Sequence, residues 1–328
     1  MSTDEGGLSP DEAFRLLGDE TRLAILRAVW ESDGAVSFSA IRERVGRPDS
    51  GQFNYHINRL RGPFLSKRDG GYRLTQAGRE VVRAVLAGTI TERPETGPAS
   101  IDAPCAACGG RLVVRYDEYA TVECADCGAT AMWNEFPPAG LEGRTPAEVA
   151  TAFDRWTQRR FRLAMDGICP SCAAETTTTL VAPGVDGGDG DDRDDGSDDV
   201  PTTAADDAGS TGTHDDDPTT DGSDPVTVVR ADGVATEHRC GNCRYEARVP
   251  LAGHVLGHPA AIGFYDGAGV DVTAMPYWEV QGLARTFEVT VVSEDPWRVA
   301  VAIDADGRSL DLLLDDRLDV REVDRSDR

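Results

Sequence analysis

From residue 8 to residue 90, apolar positions recur every three or four residues in short runs separated by Gly, Pro and cap residues. The pattern predicts a series of short helices. Ser9-Pro10 opens the first, with Pro at the first helical position and Ala13, Leu16 and Leu17 on one face. The second runs from Glu20 to Glu31, with Leu23, Leu26 and Trp30 at helical spacing and Ile25 and Val29 widening the face. Ser37 to Val45 is a short third helix carrying Ile41 and Val45. Asp49 opens a fourth. Asp49 and Gln52 have capping-box spacing, Phe53, Ile57 and Leu60 bury one side, and Gly62-Pro63 ends it. Phe64–Arg68 and Tyr72–Leu74 flank Asp69-Gly70-Gly71, a hairpin signal. Thr75 caps a closing helix with Val81, Val82, Val85 and Leu86 on its apolar face.

The rest of the chain is patterned differently. Residues 91–104, rich in Pro, Thr and Glu, are expected as a linker. Between residues 145 and 168, Thr145-Pro146-Ala147-Glu148 forms a capping box, followed by Val149, Phe153 and Trp156 on one face and then Arg159, Arg160 and Arg162. This predicts a bridging helix whose arginines are solvated or paired to acids, or make a second nucleic-acid contact. Residues 183–225 hold almost no large apolar residue and are expected to be disordered. In 251–328 a short helix signal, Gly257 to Tyr265, precedes alternating segments at Thr286–Val292, Arg298–Ile303, Leu310–Leu314 and Asp319–Val323. Val289, Val291, Val299, Val301, Leu312 and Leu314 can share a buried face, with Trp278 and Trp297 as large anchors. A small antiparallel sheet follows from that alternation, packed on the second ribbon expected over 169–250 and serving as a dimer surface or a ligand pocket.

In residues 8–90 the order of helices, two-stranded wing and closing helix predicts a winged helix-turn-helix. Leu17-Gly18-Asp19-Glu20-Thr21-Arg22-Leu23-Ala24-Ile25-Leu26 resembles the opening signature of ArsR-type winged-helix repressors. Phe53-Asn54-Tyr55-His56-Ile57-Asn58-Arg59-Leu60 resembles their recognition helix, and Leu74-Thr75-Gln76-Ala77-Gly78 their wing-to-helix junction. The resemblance covers roughly a quarter of the chain and implies double-stranded DNA as partner, probed by a homodimer with the fourth helix in the major groove. With Phe53, Ile57 and Leu60 inward, Ser50, Gln52, Asn54, Tyr55, Asn58 and Arg59 fall on or near the outer face. Gln and Asn pair with adenine edges and Arg with guanine, while Lys67 and Arg68 on the wing suit phosphates. The family carries a histidine where this chain has His56, which reads as a structural or phosphate-adjacent residue. Its metal-sensing members carry Cys-x-Cys before the recognition helix. Here that helix reads Ser37-Phe38-Ser39-Ala40-Ile41-Arg42-Glu43, so sensing of that kind is disfavoured.

All eight cysteines fall in Cys-x-x-Cys pairs. Cys105/Cys108 and Cys124/Cys127 are 15 residues apart, with strand-like segments at Arg111 to Val114 and Thr121 to Glu123, and Gly109 and Gly128 follow the second cysteines. This is zinc-ribbon spacing and predicts a closed, structural four-thiolate Zn2+ site over 105–144. Cys169/Cys172 and Cys240/Cys243 are separated by 67 residues, most of them the acidic stretch, and lack the following glycine (Ala173, Arg244). They read as a second ribbon over 169–250, with Thr177 to Val181 and Val226 to Arg230 flanking the insert as a hairpin extension. Cross-pairing among the four knuckles is the alternative. Two disulfides are disfavoured in an apparently intracellular chain. His238, His254 and His258 read as extra ligands or as ordinary polar residues.

Charge adds one further constraint. The net charge is −25, with 38 Asp, 20 Glu and Lys67 as the sole lysine, a composition like that of an extreme halophile. Residues 183–225 supply −14 of it, whereas Ala35 to Arg83 carry ten basic and four acidic residues. The start shows no secretory signal and no apolar run is long enough to span a bilayer, so a cytoplasmic address is expected. With no nucleophile–base pair, phosphate loop or helical His/Glu metal motif, an enzyme is not expected. The fold expected is α+β and multidomain: a winged helix-turn-helix, two zinc ribbons and a C-terminal sheet. The function expected is DNA-binding transcriptional regulation, and the rival is a zinc-ribbon adaptor whose winged helix docks a protein.

Overall fold

A computed structural model describes residues 7–47, 49–181, 227–230 and 234–327. The acidic stretch expected at 183–225 lies outside the described residues. The described residues are α+β, with four antiparallel sheets among them, and the chain divides into two compact units: Met1–Pro94 with Pro137–Glu142, and Glu95–Phe136 with Gly143–Arg328. The segment 137–142, expected within the first ribbon, therefore belongs with the first unit, where the Ala139 N–H donates to the Ala87 carbonyl at 3.1 Å.

The first unit runs α1 (Pro10–Leu17), α2 (Glu20–Trp30), α3 (Phe38–Val45), α4 (Ser50–Leu60), β1 (Leu65–Arg68), β2 (Gly71–Leu74) and α5 (Gln76–Leu86). Each helix starts on a side-chain cap that satisfies otherwise unpaired N–H groups: Ser9, Asp19, Ser37, Asp49 and Thr75. Ser9 and Glu12 complete a capping box. Asp49 accepts from the Gly51 and Gln52 N–H groups, and the Gln52 side chain is not returned to it. Ile25, Leu26, Val29, Ile41, Phe53, Ile57, Leu60, Leu65 and Val82 form the core. The central α2 touches α1, α3, α4, α5 and β2, so Thr21 and Ala28 are buried as well. Trp30 and Leu86, expected inward, are exposed, because each sits at the last turn of its helix. Gly78 cannot carry a side chain: a Cβ there would collide with the Phe64 carbonyl oxygen.

The second unit begins where a linker was expected. Residues Glu95–Pro104 form β3, paired antiparallel with β4 (Arg111–Asp117) and followed by β5 (Tyr119–Cys124) and β6 (Thr130–Asn134) in the order β3-β4-β5-β6. Its prolines are tolerated because β3 is an edge strand. The helix α6 (Pro146–Met165) has the expected Thr145–Glu148 capping box. Its buried side is Ala150, Phe153, Asp154, Thr157, Phe161 and Ala164, while Trp156 is partly exposed. Asp154 is buried because its carboxylate accepts from the Tyr277 N–H at 2.8 Å and from Gln158.

Strand β7 (Thr176–Val181) pairs with β9 (Ala235–Cys240), which pairs with β10 (Glu246–Pro250). Strand β8 (Thr227–Arg230), expected to extend this ribbon, instead edges a five-stranded sheet ordered β14-β13-β12-β11-β8. The partner of β7 is the strand that leads straight into Cys240, with Thr176 opposite that cysteine. The other strands of the sheet are β11 (Glu288–Glu294), β12 (Trp297–Ala305), β13 (Arg308–Leu314) and β14 (Val320–Asp327). Three short helices, α7 (Leu251–Leu256), α8 (Pro259–Asp266) and α9 (Tyr277–Ala284), stand where one was expected. The alternation seen in the sequence is the sheet's buried face: Val289, Val291, Val299, Val301, Leu312 and Leu314 are all buried, most of them in one cluster with Leu251, Val255 and Phe264.

Candidate functional site

The cysteines gather into two sets of four, paired as the spacing suggested and not crossed between ribbons. In the first, Sγ of Cys105 lies 3.9 Å from that of Cys127, and Cys108 lies 3.6 Å from Cys124. In the second, Cys169 lies 3.5 Å from Cys243, and Cys172 lies 3.6 Å from Cys240. Four sulfurs held about 2.3 Å from one ion at tetrahedral angles stand about 3.8 Å apart. Disulfide sulfurs would be about 2.0 Å apart. The donor set therefore fits two four-coordinate metal ions and not four disulfide bonds.

All four knuckles have the same backbone. The residue after each second cysteine returns its N–H to the carbonyl of the first: Gly109 to Cys105, Gly128 to Cys124, Ala173 to Cys169 and Arg244 to Cys240, at 2.8–3.1 Å. Each adopts positive φ, +72° and +75° at the glycines, +60° at Ala173 and +58° at Arg244. The second ribbon thus builds the same turn without the glycine that marked the first in the sequence.

The N–H groups of Ala107 and Gly110 point at the Cys105 and Cys108 sulfurs at 3.3 Å, and those of Asp126 and Cys127 at Cys124. The Cys127 N–H, burial working against it, leads the groups that bring Cys124 down to about 7. The Asn242 side chain and then the Ala174 N–H bring Cys172 down to about 6. The Gly110 N–H favours the Cys108 thiolate, yet the Cys127 and Cys124 sulfurs push that thiol up to about 12. Cys243 is likewise raised to about 12, with burial and its three sulfur neighbours outweighing the Tyr245 N–H. In each set, hydrogen-bond donors favour one thiolate while burial and the neighbouring sulfurs disfavour another.

Among the described residues, no histidine joins these sets. His238 is fully buried on β9, its ring nitrogens 3.0 Å from Thr178 Oγ1 and 2.9 Å from Thr236 Oγ1. His254 stacks on it and reaches the same Thr236 hydroxyl at 2.7 Å, and burial drives its pKa down to about 3. His258 caps α8, with Nδ1 accepting from the Ala260 N–H.

In the first unit, Ser50, Gln52, Asn54, Tyr55, Asn58 and Arg59 are all exposed along α4, while Phe53, His56, Ile57 and Leu60 are buried. Lys67 and Arg68 are exposed at the end of β1, where Lys67 lies 5.8 Å from the centroid of the Tyr72 ring. His56 sits under the helix, with Nδ1 3.5 Å from the Asp19 carboxylate that also caps α2.

Arg160, read in the sequence as solvated or paired to an acid, does pair with Glu135, but its contacts with the second cysteine set were not foreseen. Its side chain is 11 % exposed and reaches Glu135, Ser171, Trp156 and Tyr245 together. Its place in the Arg159, Arg160, Arg162 cluster of the helix did not mark it out from its neighbours.

Among the described residues, no helix is long and apolar enough to cross a membrane. Residues 102–320 match the family described as a domain of unknown function, DUF7351, and the chain belongs to that family. Residues 10–85 match a second family described in the same words, DUF7347. No curated protein and no solved structure matches the chain.

Proposed function

We propose that the chain is a DNA-binding transcriptional regulator with a winged helix-turn-helix of ArsR type and two structural zinc sites. The observation that carries this is the two-sided character of α4. Its apolar residues are consumed by the core, and six hydrogen-bonding side chains stand in solvent on the other side. In this reading α4 enters the major groove, where Asn54, Gln52 and Arg59 meet base edges, and the β1–β2 hairpin lays Lys67 and Arg68 on the backbone. The protein acts as a homodimer on a partly palindromic site. The thiolate sites are zinc sites because soft, closed sets of four sulfurs suit that ion and leave no position open for chemistry. Their work is then to hold short strands together in a unit whose sheets are small.

Fluorescence anisotropy with genomic fragments tests the reading. Replacing Asn54 and Arg59 with Ala is expected to weaken specific binding by about 1–3 kcal/mol per lost bidentate contact. Replacing Lys67 and Arg68 is expected to weaken all sequences alike. No binding by the wild-type chain, or no response to either pair, overturns the assignment and favours the protein-docking adaptor.

A further inference from the structure

Arg160 lies on α6, outside both cysteine sets, yet it touches both knuckles of the second one. Its Nη2 donates to the hydroxyl of Ser171, at 3.2 Å, and Ser171 stands between Cys169 and Cys172. Its guanidinium lies 5.2 Å from the ring centroid of Tyr245, whose carbonyl accepts the Cys240 N–H at 2.9 Å and so closes the other knuckle. The same Nη2 is 2.9 Å from the Glu135 carboxylate, just past β6 of the first ribbon sheet. Trp156, one turn back on α6, faces the guanidinium at 6.0 Å and donates its indole N–H to the Glu135 carbonyl at 3.0 Å.

The electrostatics point the same way. Four thiolates around one divalent ion leave two net negative charges. Arg160 brings a nearly desolvated positive charge against the knuckles that hold them, and a delocalised guanidinium tolerates that burial better than an ammonium would. Its carboxylate partner Glu135 is 66 % exposed.

We propose that Arg160 is a positioning residue for the site of Cys169, Cys172, Cys240 and Cys243. Through it, metal loading there is linked to the docking of the Glu135 edge of the first ribbon sheet. Linkage is reciprocal: whatever the docked Glu135–Arg160 contact adds to metal affinity, the metal adds to the docking. The contacts of Arg160 do not reach Cys105, Cys108, Cys124 or Cys127, so that site is expected to be independent of it.

The full chain, loaded with zinc, is titrated with a chromogenic chelator while an alkylating reagent marks each cysteine as it is released, read by mass spectrometry. Arg160→Met is expected to lower zinc affinity at the second set about tenfold and leave the first unchanged, the usual scale for losing a residue that supports metal ligands. Arg160→Lys, which keeps the charge and loses the planar fork, falls between and serves if the Met variant does not fold. In the wild type, amide exchange over residues 130–136 should quicken when only the second set is emptied, and in Arg160→Met that dependence should vanish. Equal effects on both sets, no effect on either, or exchange at 130–136 that ignores loading overturns the proposal. The proposal rests on the sets being metal sites. A wild-type chain that binds no metal defeats that reading, whereas unchanged affinity in the variants defeats only the role of Arg160.

Discussion

The four knuckles offer a controlled comparison of backbone strain. Gly109 and Gly128 occupy the left-handed region, and a Cβ built on either meets nothing within 4 Å. Ala173 and Arg244 hold the same turn with a side chain in place. Adding or removing a Cβ therefore changes the conformational energy and almost nothing else. An L-residue with a side chain loses about 1–2 kcal/mol in that region. Glycine gives back about 0.4–1 kcal/mol through its freer unfolded chain. Gly109→Ala should thus cost about 0.5–1 kcal/mol and Ala173→Gly should gain about as much. Because ion binding and closure of the turn are one event, these become roughly two- to fivefold changes in zinc affinity, of opposite sign and each confined to its own set. Equilibrium competition with a chelator, resolved by cysteine alkylation, measures both. Gly110 is the contrast: its Cβ would strike the Asp126 carboxylate that accepts the Arg111 N–H, so Gly110→Ala should cost more than Gly109→Ala. Changes of the same sign at Gly109 and Ala173, or none at Gly109, would refute the argument that φ alone separates the two ribbons.

Two further outcomes are expected. Native mass spectrometry should find two zinc ions per chain, and a strong chelator should remove both with loss of cooperative thermal unfolding in the second unit. Finding none, with the cysteines oxidised in pairs, would overturn the metal reading. His254, held near 3 by burial and then by the neighbouring His238 and Arg162 charges, makes stability depend on acid. The unfolded chain takes that proton near pH 6.5 and the folded one does not. Stability present above pH 6.5 is therefore lost as pH falls, by up to about 1.4 kcal/mol per unit. His254→Gln should flatten the slope between pH 6.5 and 5 relative to wild type in denaturant titrations with zinc in excess, and an unchanged slope would place the titration elsewhere.

What was legible in the sequence follows from how locally each feature is determined. Caps such as Ser9, Thr75 and Thr145 act within one turn, and all three sit where spacing put them. The cysteine sets were readable because thiolates three apart must converge on one ion. Their pairing survived a 67-residue gap, since closing a long loop costs only logarithmically more. Non-local features were not readable. Strand β3 owes its existence to β4, not to the propensity of Glu95–Pro104, which looks like a linker until it has an edge to join. Strand β8 carries the same β-leaning residues whichever sheet it enters, so nothing in Thr227–Arg230 told β11 from β7. On α6 the inward face was misjudged because Asp154 is buried by a partner 123 residues away, the Tyr277 N–H. A periodicity argument counts a carboxylate as outward. A helix N-terminus that needs an acceptor reverses that.

Net charge is a poor guide to what this molecule binds, for the same reason of locality. The chain carries −25, but −14 belongs to residues 183–225, while 35–83 carries a positive excess. Within that stretch the acids are largely engaged. Asp69 lies 3.7 Å from Arg73, Glu80 pairs with Arg83 at 2.7 Å, and Asp49 is turned into the N-cap of α4. Arg59, Lys67 and Arg68 form no ion pair among the described residues and stand exposed on α4 and β1. A phosphate in contact with them feels those charges at a few ångströms. It feels the rest of the chain through salt that screens beyond about 8 Å at physiological strength and about 3 Å at 1 M. The higher the salt, the less the distant carboxylates matter relative to groups in contact. An acidic chain can thus keep a basic binding face, provided the acids nearest that face are already occupied.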